Sequence, residues 1–363
     1  MTSPAVHVVL PGIVDDPRRP SGGSVYDDHV CRGLARYGWD VRRYIVRSDR
    51  PGPQECAEVS RVLAGVPARA PVLLDGLVAS AVPEALEEHA SRLRLVVLLH
   101  LPAADEPLPA DTAGSADPAH VAERELRALR CARAVVVPSE ATRRRVLADP
   151  RLAGLPVRVA SPGVDRAAVT AATAAGDRLA CVAAVTWRKG HDVLLEALGT
   201  VRDLRWSLVC AGPEDPDRGF AGLVRRRIVV SGLGGRVRML GPLAPGAVAA
   251  VYGAADLVIL PSRAEPYGMV VTEALARGVP VLGTAVDGLP EALGRAPSGE
   301  RPGLLVPPGD PVALARALRR WLTEPQLRRR LRMTARARRG TLPGWGATTS
   351  AVAAALLQAG EAA

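Results

Sequence analysis

Two doubly wound α/β domains, each a parallel sheet with helices on both faces, are what this sequence predicts. Three observations carry that expectation. The chain has 363 residues, more than one core of ordinary size takes. Short apolar runs alternate with amphipathic stretches from end to end, and strands apolar on both faces belong in parallel sheets covered by helices. The alternation breaks once, at SPGVDRAAVTAATAAGD (161–177), a small, polar segment without apolar periodicity.

The first strand is read at 5–10 (AVHVVL), followed by a helix over 24–37 and strands at 41–46, 71–74 and 94–99. A helix over 118–131 and strands at 134–137 and 157–159 complete the first half. Beyond the break, strands fall at 179–185, 206–211, 236–239, 257–260 and 279–282, with helices over 190–202, 217–229, 245–253 and 268–277 between them. About eleven strands are too many for one doubly wound sheet. Residues 1–165 and 178–340 are therefore assigned to two Rossmann-like domains, with 166–177 linking them. The tail 345–363 follows the breaker run Gly340 to Gly344 and is helical over 345–360. Ligands of open parallel sheets bind beyond the carboxyl ends of the strands. Functional side chains therefore belong just after strands, along a cleft between the domains.

Composition removes several classes. With 48% hydrophobic and 23% charged residues, the chain is too apolar to be disordered. Its five cysteines are too few, and odd in number, for a disulfide scaffold, and they show no CxxC spacing. Cys181 and Cys210 sit in apolar runs and read as buried thiols. No stretch approaches the ~20 apolar residues of a membrane span. The start MTSPAVHVVLPG has no basic n-region, so a cytoplasmic protein is expected. The net charge of +10 invites a nucleic-acid partner, but 46 of the 47 basic residues are arginines spread along the chain, beside the single Lys189. Asparagine is absent and Phe220 is the one phenylalanine, which reads as codon pressure. The runs Arg143–Arg145, Arg225–Arg227 and Arg328–Arg330 are taken as solvated helix faces, and no aromatics interleave with them to form a stacking platform. No nucleic-acid partner is expected. Contact with an acidic leaflet stays open as an alternative, and no pattern specifies an oligomeric state.

The densest chemistry lies in Glu265-Pro-Tyr-Gly-Met-Val-Val-Thr-Glu273. Leu257–Leu260 reads as a buried strand, Pro261–Pro266 as the loop at its end, and a helix opens at about Gly268. Glu265 then stands at the cleft mouth and Glu273 about a turn and a half into the helix. Carboxylates so placed can accept from two sets of hydroxyls, one on a hexose and one on a ribose. The backbone amides of Tyr267, Gly268, Met269 and Val270 at the helix start suit a diphosphate. Gly22 and Gly23 read as a turn after the first strand whose backbone, free of Cβ atoms, can approach a phosphate.

The segment resembles the signature of the retaining glycosyltransferases of family 4, which carry two glutamates with seven residues between them. The surrounding GPLAPGAVAAVYGAADLVILPSRAEPYGMVVTEALARGVPVLGTAVDGLPE and the later GLLVPPGDPVALARAL fit the same family. PSGGS (20–24), LLH (98–100), VVVPSE (135–140) and SPGVD (161–165) extend the likeness into the first half. The resemblance implies a GT-B fold, with an acceptor-binding first domain, a nucleotide-sugar-binding second domain and a final helix crossing back to the first. It implies that Glu265 holds the donor sugar and Glu273 the ribose, that Lys189 in WRKGHDVLLEAL neutralises the diphosphate, and that His100 lies near the transferring sugar. Two positions depart from the pattern. Ala184 stands where the family usually has an arginine, leaving Arg188 as a second cation of doubtful orientation, and Ser161 stands where asparagine is common.

Retention of configuration is implied, and no motif carboxylate occupies a nucleophile's place, so front-face displacement is expected. Glu214-Asp215-Pro216-Asp217 is the nearest approach to a metal-binding DxD and reads as a turn, so neither metal nor cofactor is expected. The donor is expected to be a UDP-sugar ahead of a GDP-sugar, and the acceptor a small soluble molecule held by loops 11–23, 75–80 and 101–117. Asp75, after a strand, could touch the acceptor or simply form a turn. A lipid acceptor at a membrane, a catalytically weak binder of sugar nucleotides and a GT-B epimerase remain alternatives. A dinucleotide enzyme is disfavoured, since VVLPGIVDDPRRPSGG lacks GxGxxG.

Overall fold

Parallel pairing throughout sets the architecture. A computed structural model describes residues 4–12, 21–46, 53–102 and 117–361. The first sheet contains β1 (Ala5–Pro11), β2 (Asp40–Val46), β3 (Pro71–Asp75), β4 (Arg94–Leu98), β5 (Ala134–Val137) and β6 (Val157–Val159), in the order β2-β1-β3-β4-β5-β6. Between them run α1 (Gly22–Arg36), α2 (Pro53–Ala64), α3 (Gly76–Ala81), α4 (Pro83–His89), α5 (Pro118–Cys131) and α6 (Glu140–Leu147). The second sheet contains β7 (Arg178–Val182), β8 (Ser207–Ala211), β9 (Val237–Met239), β10 (Leu257–Leu260), β11 (Val281–Thr284) and β12 (Gly303–Val306). Its order is β12-β11-β10-β7-β8-β9. The accompanying helices are α7 (His191–Gly199), α8 (Arg218–Val230), α9 (Pro245–Ala254), α10 (Met269–Ala276), α11 (Leu289–Leu293), α12 (Pro311–Thr323) and α13 (Pro325–Arg339), with α14 (Trp345–Glu361) closing the chain.

Alternation along the strands builds a core on each face. Val9, Val72, Leu74, Leu95, Val97, Val135 and Val137 face one side of the first sheet. Their neighbours Val8, Leu10, Leu73, Val96, Leu98 and Val136 face the other, as period-two side chains must. Burial of each such Val or Leu contributes about 1.5–3 kcal/mol. Val352, Ala355 and Leu356 of α14 join this second cluster. Thr348 Oγ1 donates to the Ser161 carbonyl at 2.8 Å, which ties α14 to the end of the first sheet.

The segment after β6 has no regular structure but is not loose. Thr170 N–H donates to the Arg277 carbonyl at 2.9 Å, and Thr173 donates from its backbone and its hydroxyl to the buried Asp256, both at 2.6 Å. No helix among the described residues is long and apolar enough to cross a membrane.

The structure departs from the sequence reading at several points. Residues 76–80, read as part of an acceptor loop, lie in α3, which Asp75 caps. A twelfth strand, β12, pairs with β11; it opens on Gly303 and its two middle residues are only half-buried. Gly22 and Gly23 are not a turn but the first residues of α1, because Ser21 caps that helix, its hydroxyl accepting from Ser24 N–H at 3.0 Å. Arg328 is buried rather than solvated, its guanidinium donating to the carbonyls of Trp321 and Leu322 at 2.8 and 3.0 Å near the end of α12. The acidic stretch 214–217 is a turn, with Asp217 capping α8 and Glu214 paired to Arg225.

Candidate active site

Strand order decides which loops meet. In the second sheet the order of strand addition reverses between the parallel neighbours β7 and β10, so the loops after these adjacent strands flank a switch point, where ligands of such sheets bind. The loop after β7 ends in a 3₁₀ turn, Trp187–Lys189, and the loop after β10 carries Glu265. Lys189 Nζ donates to Glu265 Oε2 at 2.5 Å, with side chains 16% and 7% exposed. Gly190 permits this approach. It has φ +68°, and a Cβ there would run into the Pro261 carbonyl.

Glu265 is held from several sides. Ser262 Oγ donates to its Oε2 at 3.0 Å. Its own N–H donates to Asp287 Oδ2 at 2.8 Å, and its carbonyl accepts from Gly288 N–H at 3.0 Å. Burial by itself would raise the Glu265 carboxyl, but the charges of Lys189 and Arg188 outweigh it and hold the group below the usual range. Arg188 lies along the same loop and donates to the Ala264 carbonyl at 3.2 Å. Arg263, from the loop after the neighbouring β10, clasps the 3₁₀ turn and the start of α7, with a two-pronged ion pair to Asp192 at 2.7–2.8 Å and its guanidinium 4.6 Å from the Trp187 ring. Ala184 lies in the loop after β7, where its carbonyl accepts from Thr186 N–H.

α10 begins at Gly268, whose φ of +93° turns the chain into the helix, and no side chain caps that end. The amides of Met269 and Val270 are therefore those left without an intrahelical partner. Tyr267 sends its ring into the core and can offer only main chain to the cleft. Glu273, farther along α10, accepts from the Tyr252 hydroxyl at 2.7 Å. Burial raises its carboxyl above the usual value despite that bond.

The first domain contributes a second charged group. Nε2 of His100, just after β4, is 2.8 Å from Asp27 Oδ1 and 3.4 Å from Asp75 Oδ2. Asp75 also caps α3, its Oδ1 accepting from Leu77 N–H at 2.7 Å. A Cβ on Gly23 would sit 3.4 Å from the His100 ring, an ordinary contact, so the imidazole packs directly beside α1. These three are the one trio among the described residues whose ligand atoms lie within 4.8 Å of one another, as a cation would need. The 2.8 Å separation of nitrogen and oxygen is that of a hydrogen bond.

The domains touch across these ends. A Cβ on Gly22 would lie 3.6 Å from Met269 Sδ, and one on Gly288 2.9 Å from Ser139 Cβ. The Glu291 carboxylate accepts from the N–H groups of Glu140 and Ala141 at the start of α6, both at 2.8 Å. Gly22 therefore meets Met269 at the start of α10, with Gly23 and His100 beside it in the first domain, while Glu273 has its own partner in Tyr252. Most of loops 11–23 and 101–117 lies outside the described residues.

Sequence reading missed Asp27, Ser262, Arg263, Tyr252 and Asp287. Only Asp27 left a usable signal. It follows Gly23 by four residues, hence on one helix face, which becomes visible once α1 is known to begin at Gly22.

Residues 173–338 match the family described as glycosyl transferases group 1. The D-inositol 3-phosphate glycosyltransferase of Corynebacterium glutamicum (strain R) is 35% identical over 189 residues, 49% of this chain and 44% of that protein. The protein of the same name from Kineococcus radiotolerans is 46% identical over 120 residues, 32% of this chain and 27% of that protein. The chain thus spans under half the length of these curated relatives. Among solved structures, sucrose-phosphate synthase from Thermosynechococcus elongatus superposes with a TM-score of 0.78 at 22% identity, covering 96% of this chain and 97% of that one. HepE of Anabaena, solved with UDP and glucose, gives 0.70 at 18% identity, covering 96% and 99%. The fold is GT-B.

Proposed function

We propose that this GT-B protein, whose residues 173–338 match the group 1 glycosyl transferases, is a retaining glycosyltransferase. It moves a hexosyl group from a nucleoside-diphosphate sugar to a small soluble acceptor held by the first domain. The observation that carries this reading is the Lys189–Glu265 pair at the switch point between β7 and β10, beside the uncapped start of α10 and opposite the first-domain glycines. Glu265 would accept from hydroxyls of the donor sugar and Glu273 from the ribose. Lys189 carries three donors and can serve Glu265 and a diphosphate oxygen at once.

The reaction is front-face displacement. The bond from the anomeric carbon to the phosphate oxygen breaks, the acceptor oxygen bonds to that carbon on the same face, and the acceptor's proton passes to the departing phosphate. Lys189 and the α10 amides stabilise the negative charge as it grows; the protein otherwise positions the reactants. The relatives named for D-inositol 3-phosphate support a small hydroxylated acceptor. UDP-sugars are the first donors to try, ahead of GDP-sugars. The reading requires neither metal nor cofactor.

A thermal-shift panel of nucleoside diphosphates and their sugars tests the donor, since a ligand at 100 times its Kd stabilises by about 2.7 kcal/mol. Nucleotide release, with and without candidate acceptors, then tests turnover. Saturable binding without release would reduce the protein to a sugar-nucleotide binder, and interconversion of donors without acceptor would make it an epimerase.

A membrane-associated version with a lipid acceptor has one observation in its favour. On α8, Leu223, Val229 and Val230 are 55%, 75% and 87% exposed around Arg225–Arg227. Failure to co-sediment with anionic vesicles at low salt would exclude it.

A further inference from the structure

The cluster beneath the first-domain glycines holds chemistry that the transferase reading leaves unused. His100 Nε2 faces two carboxylates, Asp27 at 2.8 Å and Asp75 at 3.4 Å, and each aspartate is only 2% exposed. The Asp27 carboxylate, the nearer of the two, only accepts, so Nε2 carries the proton toward it and Nδ1 is the ring's remaining polar atom. With a neutral imidazole the site would hold two carboxylates in a desolvated pocket with no cation, a costly arrangement. Among the described residues, Asp27 Oδ2 is itself buried without a hydrogen-bond partner.

We propose that Asp27 and Asp75 are positioning residues that hold His100 as an imidazolium, so that the first domain meets the donor with a fixed cation rather than a base. The cation would stand opposite Lys189 and donate from Nδ1 to an oxygen of the bound sugar nucleotide, a role that rests on the transferase reading above.

The surrounding groups agree with this. Burial pulls the His100 imidazole down, but Asp27, by charge and by hydrogen bond, and Asp75, by charge, carry it up to about 9. Asp75 is pushed up to about 7 by burial and by the Asp27 charge, so near neutrality it takes a proton part of the time. From α1, Tyr26 meets the imidazole edge-on at 5.0 Å, and its hydroxyl is committed to the Ala160 carbonyl at 2.8 Å. Among the described residues, no arginine or lysine acts on the imidazole.

The test is nitrogen NMR of histidine-labelled protein, with His100 assigned by difference against His100→Gln. In the wild type both ring nitrogens should carry the imidazolium signature at pH 7.5 and titrate near 9. In Asp27→Asn the midpoint should fall by about one unit or more, a tenfold loss of proton affinity. The alkaline limb of kcat/KM for transfer should move by the same amount, which a merely structural aspartate would not cause. A neutral His100 in the wild type at pH 7.5, an alkaline limb unmoved by Asp27→Asn, or a stoichiometric divalent metal on the trio in the purified protein would each overturn the proposal. The NMR arm needs no sugar nucleotide, so its failure is separate from failure of the transferase reading, which nucleotide release decides.

Discussion

Removing Lys189 should destabilise the fold and abolish turnover together, and neutralising Glu265 as well should add no further destabilisation. The pair is desolvated, with side chains 16% and 7% exposed. Breaking a buried pair by deleting one partner costs about 3–5 kcal/mol, because the other charge is left uncompensated. In Lys189→Met, Glu265 keeps the Ser262 hydroxyl and the influence of Arg188, so the low end, about 3 kcal/mol, applies. At about 2–4 °C per kcal/mol for domains of this size, the melting temperature should fall by roughly 6–12 °C. Glu265→Gln leaves a buried ammonium, which can shed its proton, and should cost about 2–3 kcal/mol. The double variant replaces both charges with neutral groups of similar size and should lie near the milder single variant. That corresponds to a coupling energy of about 2 kcal/mol or more. All three should lose at least about a hundredfold in nucleotide release, equivalent to about 2.7 kcal/mol. Denaturant unfolding and a coupled release assay measure both quantities. Additive destabilisation in the double variant, or a Lys189→Met protein melting within about 1 °C of wild type, would refute the reasoning.

Four further outcomes are expected. Lys189→Arg keeps the charge but exchanges a compact ammonium for a planar fork; turnover should drop at least about tenfold with the fold intact, and near-wild-type activity would remove Lys189 from the mechanism. Trp321→Ala deletes a fully buried ring whose Nε1 donates to the Gly176 carbonyl at 2.7 Å; it should cost about 3–5 kcal/mol while specific activity of the folded fraction is retained. For pH, His100 is raised from 6.5 to about 9, so its contribution is complete below 6.5 and is lost as pH rises through 9. Wild-type melting temperature should therefore decline across that window and Asp27→Asn should decline less; parallel curves would contradict the coupling. Glu291→Ala removes the acceptor shared by the Glu140 and Ala141 amides, and X-ray scattering of the free protein should show a larger radius of gyration; an unchanged curve would mean that this contact does not hold the domains together.

Strands such as β5, AVVV, are legible because burial on both faces leaves an unbroken apolar run. The start of α10 after β10 is legible because a buried strand, a Pro-bounded loop and a helical period follow one another in order. Those are local signals, and they were enough to put Glu265 at a strand end and Glu273 inside a helix. They do not extend to partners. Lys189 and Glu265 are 76 residues apart, and only the insertion of β7 beside β10 makes their loops neighbours. Asp27 reads as one more polar residue of an amphipathic helix until β3 and β4 bring Asp75 and His100 against it. Arg328 reads as solvated until the carbonyls near the end of α12 claim it.

The sequence by itself determined the fold class, the strand ends where chemistry belongs and the residue types there, because periodicity and turn chemistry act within one turn or one strand. Tertiary structure decided which charges face one another, and with that their protonation, because sheet order sets those distances and burial sets how strongly the charges interact.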